Sequence, residues 1–378
     1  MKNIHTATFI AALLIAALLF AGCTARSADG KEPAAAQAAT ATVPPEPAVP
    51  EPAATVTPEP APEPAPVHTL RSDVPYGAAD DAQRQYVVFG SAYERKQIAA
   101  ITFLDTLADV PADAWDVSET GDGSVLAWVT PNGELYDLYL AAEGGVYAPA
   151  DCAELFCGYS QMTAFNGAER FHVTDRVTCL NGMFNNCACL PSLDVGDWDT
   201  SNVTEMNNVF SLCAALSDLD VSGWNTSKVS GMSGTFTLCI ALSKLDVSGW
   251  DTSNVTDMSM LFARCMSLSS LDVSGWNTAK VTNMSRLFNG CRMGSLDVSG
   301  WNTSNATNMN SMFALCRNLK SLDVGGWDTS NVTDMNSMFA GCASLRELDV
   351  SGWDTAKVAD MAGMFSQTPA PVPSWYHA

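Results

Sequence analysis

The chain has 378 residues, 47% of them apolar, with 19 basic against 41 acidic side chains and a formal charge of −22. That length accommodates one large domain or two ordinary ones. The acidic balance argues against a phosphate-tracking nucleic-acid surface and against a polybasic membrane patch, since both need clustered Lys and Arg. Four His in the whole chain leave little for histidine catalysis or metal centres.

Residues 1–22 read as a bacterial signal peptide. Lys2 supplies the charged start, and the apolar run Phe9–Phe20 is short for a membrane span, which needs about 20 residues. The run ends in Leu19-Phe20-Ala21-Gly22-Cys23. This resembles a lipobox, in which Cys23 is diacylated and becomes the mature N-terminus. Phe20 stands where the usual pattern has Leu, so an ordinary signal peptide with a chance Cys is the alternative. Several acyl chains on Cys23 give stable membrane anchoring. From Ala28 to Pro66 the chain is Ala, Pro, Thr and Glu, with Val43, Val49 and Val56 as its bulky apolar residues. Such a segment cannot bury a core and favours polyproline II. Residues 23–66 are therefore expected to be a lipidated tether, of which 28–66 reach at most roughly 120 Å at ~3.1 Å per residue.

The stretch 67–150 has strand-like pieces at Tyr86–Phe89, Ile98–Leu104, Val125–Val129 and Leu135–Leu140. The last two join through Pro131-Asn132-Gly133, which predicts a hairpin with an Asn-Gly turn. This region is expected to be a small β-rich N-terminal cap.

A repeat then dominates. Trp198, Trp224, Trp250, Trp276, Trp301, Trp327 and Trp353 recur at steps of 26, with one step of 25. Phe210 through Phe365 and Cys213 through Cys342 keep the same phase. A period of this length signals stacked units that are not stable singly. In the unit 245–270, Leu245 and Val247 flank Asp246 at the strand period, and Gly249 marks a bend. Val255, Met258, Phe262 and Cys265 are spaced 3, 4 and 3, which is one face of a helix. Asn254 and Asp257 are placed to cap its start. The expected fold class is thus an α/β repeat over 151–368: a solenoid of short parallel strands and short helices, with a tail at 369–378. There Thr368 replaces the expected Cys, Pro369, Pro371 and Pro373 stop the helix, and Trp375 and Tyr376 fold over the last coil.

Two ladders carry the chemistry. The Cys column comprises Cys187, Cys213, Cys239, Cys265, Cys291, Cys316 and Cys342. Cross-links between coils are one reading. An odd number of members and an apolar setting favour reduced, buried thiols. Asp194, Asp220, Asp246, Asp272, Asp297, Asp323 and Asp349 lie between inward residues and should form an outward row. Like charges ~5 Å apart repel and call for hydrogen-bond donors or counter-cations. The row is the candidate binding face, for a cation or a basic ligand. The alternative is a solvated acidic surface that keeps the stack soluble.

With LDVSGWDTSNVTDM, then MF, then C repeating along it, the chain resembles the BspA-like leucine-rich-repeat surface proteins of bacteria over residues 84–366. The stretches VVFGSAYERKQIAAITFLDTL and AWDVSETGDGSVLAWV resemble the leader that precedes such repeats. The resemblance implies a right-handed leucine-rich-repeat solenoid displayed at the cell surface, with host matrix proteins or other cells as partners.

The expected function is a lipid-anchored surface protein that presents its repeat face for protein binding or adhesion, attached to the membrane through Cys23 and without nucleic-acid partners. An envelope structural role with no host ligand is the alternative. The sequence carries no nucleophile elbow, no HExxH and no Gly-rich phosphate loop, so no catalytic residue, metal site or cofactor is assigned. His172 with Cys179, Cys187 and Cys189 follows no standard zinc spacing.

Overall fold

A computed structural model describes residues 68–72 and 87–377. The signal peptide, Cys23 and the tether therefore lie outside the described residues.

The strands are β1 (Ile98–Leu104), β2 (Trp115–Asp116), β3 (Leu126–Asn132), β4 (Leu135–Ala141), β5 (Val146–Tyr147), β6 (Ala164–Asn166), β7 (Phe171–His172), β8 (Ser192–Leu193), β9 (Asp218–Leu219), β10 (Ser321–Leu322) and β11 (Glu347–Leu348). The first group forms a mixed sheet in the order β2-β3-β4-β1-β6. Strand β3 pairs antiparallel with β4 from Leu126↔Ala141 to Asn132↔Leu135. The hairpin is as expected, but its loop is Gly133-Glu134, one residue later than the Asn-Gly reading. Gly133 has φ 65° and supplies the left-handed residue that a two-residue turn needs. Val87 makes an isolated antiparallel bridge to Glu94 in place of the expected strand at Tyr86–Phe89.

Beyond the sheet the chain winds into stacked coils. Parallel bridges link Asp151, Cys179, Glu205, Gly231, Asp257, Asn283, Asn308, Asp334 and Asp360 in one unbroken series. The expected α/β solenoid with helices does not form. Among the described residues the helical elements are two single 3-10 turns, Arg95–Gln97 and Ala168–Arg170. The segment read as a helix is a chain of tight turns, and it carries the continuous parallel ladder. The Leu-x-Val segment read as the strand pairs as a strand only at β8·β9 and β10·β11.

The backbone explains this inversion. Two positions in each coil, four residues apart, take left-handed φ: Gly182 and Asn186, Asn208 and Leu212, Gly234 and Leu238, Met260 and Arg264, Arg286 and Gly290. A right-handed helix cannot pass through them. Alternate amides instead find different partners. Met183, Asn185 and Cys187 donate to carbonyls three residues back, at Leu180, Gly182 and Phe184. Gly182, Phe184 and Asn186 donate to Asn207, Val209 and Ser211 of the next coil. These turn amides are satisfied without a helix, and the left-handed residues, at about 1–2 kcal/mol each outside glycine, are held by the coils above and below.

One core runs from Leu70 to Ala370. Phe103 and Phe156 meet at 6.0 Å, and Phe156 stacks on Phe184 at 5.5 Å, so the sheet and the coils share it. Successive Trp rings then lie 6.2–6.5 Å apart and nearly parallel, from Trp198 to Trp353. Successive Phe rings repeat at 5.7–5.9 Å. Identical side chains stacked in register give each coil the same packing partner on both sides.

Candidate functional site

The outward row forms where it was expected. Leu219 and Val221 are buried, and Asp220 between them is exposed. The same alternation holds around Asp194, Asp246, Asp297, Asp323 and Asp349. Leu271 is only partly buried, and Val273 beyond the exposed Asp272 is buried. Asp246, Asp272, Asp297 and Asp323 line one open groove of about 840 Å³, with Ser270, Ser274, Ser295, Ser299 and Ser321 between them.

Five of the seven carboxylates are tied down locally. Ser222 donates to Asp220 Oδ1 through its backbone N–H at 2.9 Å and its hydroxyl at 2.7 Å. Ser248, Ser274, Ser299 and Ser351 do the same for Asp246, Asp272, Asp297 and Asp349. These bonds hold Asp220, Asp272, Asp297 and Asp349 below the ordinary carboxylate pKa, so these four stay ionised. Asp297 pushes the other way on Asp272, through like-charge repulsion between coils. Gly196 and Gly325 stand where Asp194 and Asp323 would have this serine. The row offers a regularly spaced negative face, with one carboxylate oxygen of most members engaged and the other turned to solvent.

A second polar row, such as Asp251-Thr252-Ser253-Asn254, makes Asx-type turns. Asp199 Oδ1 accepts from Ser201 N–H at 3.0 Å, and Asp251 Oδ1 from Ser253 N–H at 2.9 Å. The Thr between them does something else. Thr226, Thr252, Thr278, Thr303 and Thr329 are buried and donate to a carbonyl of the next coil at 2.9–3.0 Å.

The Cys column is a row of buried free thiols. Each Sγ–H donates to the Phe carbonyl of the preceding coil: Cys187 to Phe156, Cys213 to Phe184, Cys265 to Phe236 and Cys342 to Phe313, at 3.0–3.1 Å. Burial pushes the thiols of Cys213, Cys265 and Cys342 up to about 12, so they are inert as nucleophiles and metal ligands at neutral pH. Thr368 donates its hydroxyl to Phe339 O at 2.9 Å, which continues the same bond with oxygen for sulfur. His172 lies away from this column, with its Nε2 3.1 Å from Gly144 O.

A second feature escaped the linear reading. Arg95 is buried at the junction of sheet and coils, and its Nη1 donates to Glu154 O and Cys157 O, both at 2.7 Å. In the next coil the carbonyl equivalent to Cys157 O, Asn185 O, accepts the Gly158 amide of the preceding coil, whereas Glu154 O, like Gly182 O, also accepts the amide three residues on. The first coil has no predecessor, and a guanidinium takes that place. A lone Arg within VVFGSAYERKQIAAI gives no periodic signal of this role.

The family described as "Mycoplasma protein of unknown function, DUF285" matches residues 150–268, 217–322 and 284–372. The overlapping matches run from 150 to 372, which is more than half of the chain. The chain belongs to the DUF285 family. The DUF285 matches coincide with the stacked coils, from the first bridge at Asp151 to the last at Asp360. They agree with the BspA-like repeat character expected of the sequence. Among the curated proteins, none matches the chain.

Proposed function

We propose that this DUF285 chain is a bacterial surface lipoprotein, anchored through Cys23, that presents its acidic repeat face to a protein partner. The observation that carries this reading is the row from Asp194 to Asp349, exposed at every coil above a buried Leu/Val layer. Its negative groups recur at the coil spacing, and serine donors hold Asp220, Asp272, Asp297 and Asp349 ionised. The chemistry fits a cationic protein surface: long-range attraction speeds encounter, and a repeated face allows several weak contacts at once. The tether would hold that face away from the membrane.

Binding of the purified full chain to extracellular-matrix proteins and to a basic control protein at moderate salt tests the reading. Asp220→Asn, Asp246→Asn and Asp272→Asn combined should weaken the bound complex, and added salt should weaken it further. Unchanged binding by the triple variant rejects this face as the contact. In cells, Cys23→Ala should release the protein from the membrane fraction; retention rejects the anchor. A folded chain that binds none of these proteins favours an envelope role.

A further inference from the structure

Strand β3 has one open edge. Val117 N–H donates to Val125 O at 2.9 Å, and the antiparallel register carries that phase on to Trp115↔Ala127. Strand β2 ends at this pair. Val129, two residues on, has the same outward phase with no strand opposite it. Its main-chain N–H and C=O therefore face away from the sheet without a partner among the described residues. The next outward residue is Pro131, which has no N–H. The edge offers one donor and one acceptor rather than a ladder.

A cavity of about 450 Å³ lies against Val129. Ligand sites range over about 300–1,000 Å³. The rings of Tyr93, Trp115 and Trp128 line it, with Arg71 and Asp113 among its polar groups. Tyr93 and Trp115 stack with centroids 6.5 Å apart, and Trp128 is backed by Tyr139 at 5.2 Å and 7°. Rings held by other rings make a fixed apolar wall.

The polar groups are poised rather than consumed. Arg71 Nη2 donates to Phe89 O, which fixes the guanidinium. Gly90 leaves it room, since a Cβ there would come within 2.9 Å of Nη2. Asp113 is exposed and belongs to none of the ion pairs among the described residues, which are Lys96–Glu94, Arg170–Asp105 and Arg170–Glu169. Trp115 Nε1 is buried and has no hydrogen-bond partner among the described residues. Buried polar atoms are paired as a rule, and the exceptions gather at functional sites.

These groups select a ligand. A carboxylate that accepts, beside a guanidinium and an indole that donate, suits sugar hydroxyls, each of which does both. Aromatic rings take the apolar C–H face of a pyranose. The lone N–H and C=O of Val129 complement one amide group, donor to acceptor and acceptor to donor. An extended peptide would need a ladder, which Pro131 denies it. Asp113 opposes an anionic ligand. We propose that this cavity binds a neutral saccharide carrying an acetamido group, its pyranose ring against the aromatic wall and its acetamido group on the Val129 edge.

The test uses the full chain with N-acetylchitotriose, and with cellotriose, which has a hydroxyl in place of each acetamido group. Saturable binding of N-acetylchitotriose and at least tenfold weaker binding of cellotriose are expected. Peptidoglycan fragments or mucin glycans should displace the probe, and which of them does so names the source of the sugar. Trp115→Phe removes the unpaired N–H and keeps a ring, so it should weaken binding about fivefold without lowering the melting temperature. Asp113→Ala should weaken binding about tenfold, and Asp109→Asn, at an exposed residue outside the cavity lining, should leave it unchanged. No binding of N-acetylchitotriose at millimolar concentration overturns the proposal. So does equal binding of cellotriose, unchanged binding by both Trp115→Phe and Asp113→Ala, or binding confined to a proline-rich peptide.

Discussion

The five-stranded sheet and the coil stack share one core but satisfy their backbones in different ways. In the sheet, β1, β3 and β4 are seven residues each and make ordinary ladders, with side chains of many kinds. In the stack, each coil is pinned at one bridge position and through alternate turn amides, and side chains complete the pairing. Trp Nε1 donates to a Val carbonyl of the previous coil, as from Trp250 to Val221 at 3.1 Å, and Cys Sγ to a Phe carbonyl. A sheet tolerates heterogeneity because its hydrogen bonds belong to the backbone. The stack demands identity in register because its hydrogen bonds run partly through side chains.

Arg95 is where the two systems meet, so its loss should break the comparison most severely. Arg95→Met leaves Glu154 O and Cys157 O without these donors in a buried place and removes the contact over the Tyr159 ring at 5.3 Å. At about 1.5–3 kcal/mol for each hydrogen bond from a charged donor, the expected loss is about 3–5 kcal/mol in urea unfolding. The first coils should then lose amide-exchange protection before the middle ones. Uniform loss along the stack would mean that Arg95 is not an end cap.

A smaller effect is expected inside the stack. Cys265→Ala removes one S–H donor to Phe236 O and a little volume, for about 1–2 kcal/mol. Native Cys265 should resist a thiol reagent at pH 8 and react only on unfolding. Rapid labelling of the folded chain would contradict the buried thiol ladder.

The smallest effect is in the acidic row. Serine donors depress the pKa of Asp220, Asp272, Asp297 and Asp349 in the folded chain. Their contribution is present above the unfolded value of about 3.9 and is lost as pH falls through the lower folded values. The melting temperature should therefore drop as pH falls below about 4. Replacing Ser222, Ser274, Ser299 and Ser351 by Ala should flatten that drop. An identical acid response in the variant would remove these bonds from the stability of the coils.

Much of the stack was legible in the residues. The Trp step set the coil length, Leu and Val flanking Asp set inside and outside, and Thr368 marked the end of the Cys column. The helices were misread because Val, Met, Phe and Cys at spacings of 3, 4 and 3 describe one face of a helix and equally one face of a turn chain. A signal against the helix was present: Gly182, Gly234 and Gly363 share one column, and Asn186, Gly290 and Gly341 the other. Gly or Asn recurring in two columns four apart is foreign to a helix interior, although Met260 and Arg264 fill both columns of one coil.

Periodicity belongs to the order of residues along the chain, and so the repeat, its phase and its buried layer follow directly from that order. Local hydrogen-bonding alternatives are nearly equal in energy, and a turn chain with left-handed residues is unfavourable in isolation. It is selected when neighbouring coils accept the amides that a helix would have used internally, when aromatic rings stack in register, and when Arg95 closes the first coil. Those contacts join residues at least 24 apart, and no local pattern could have ranked them.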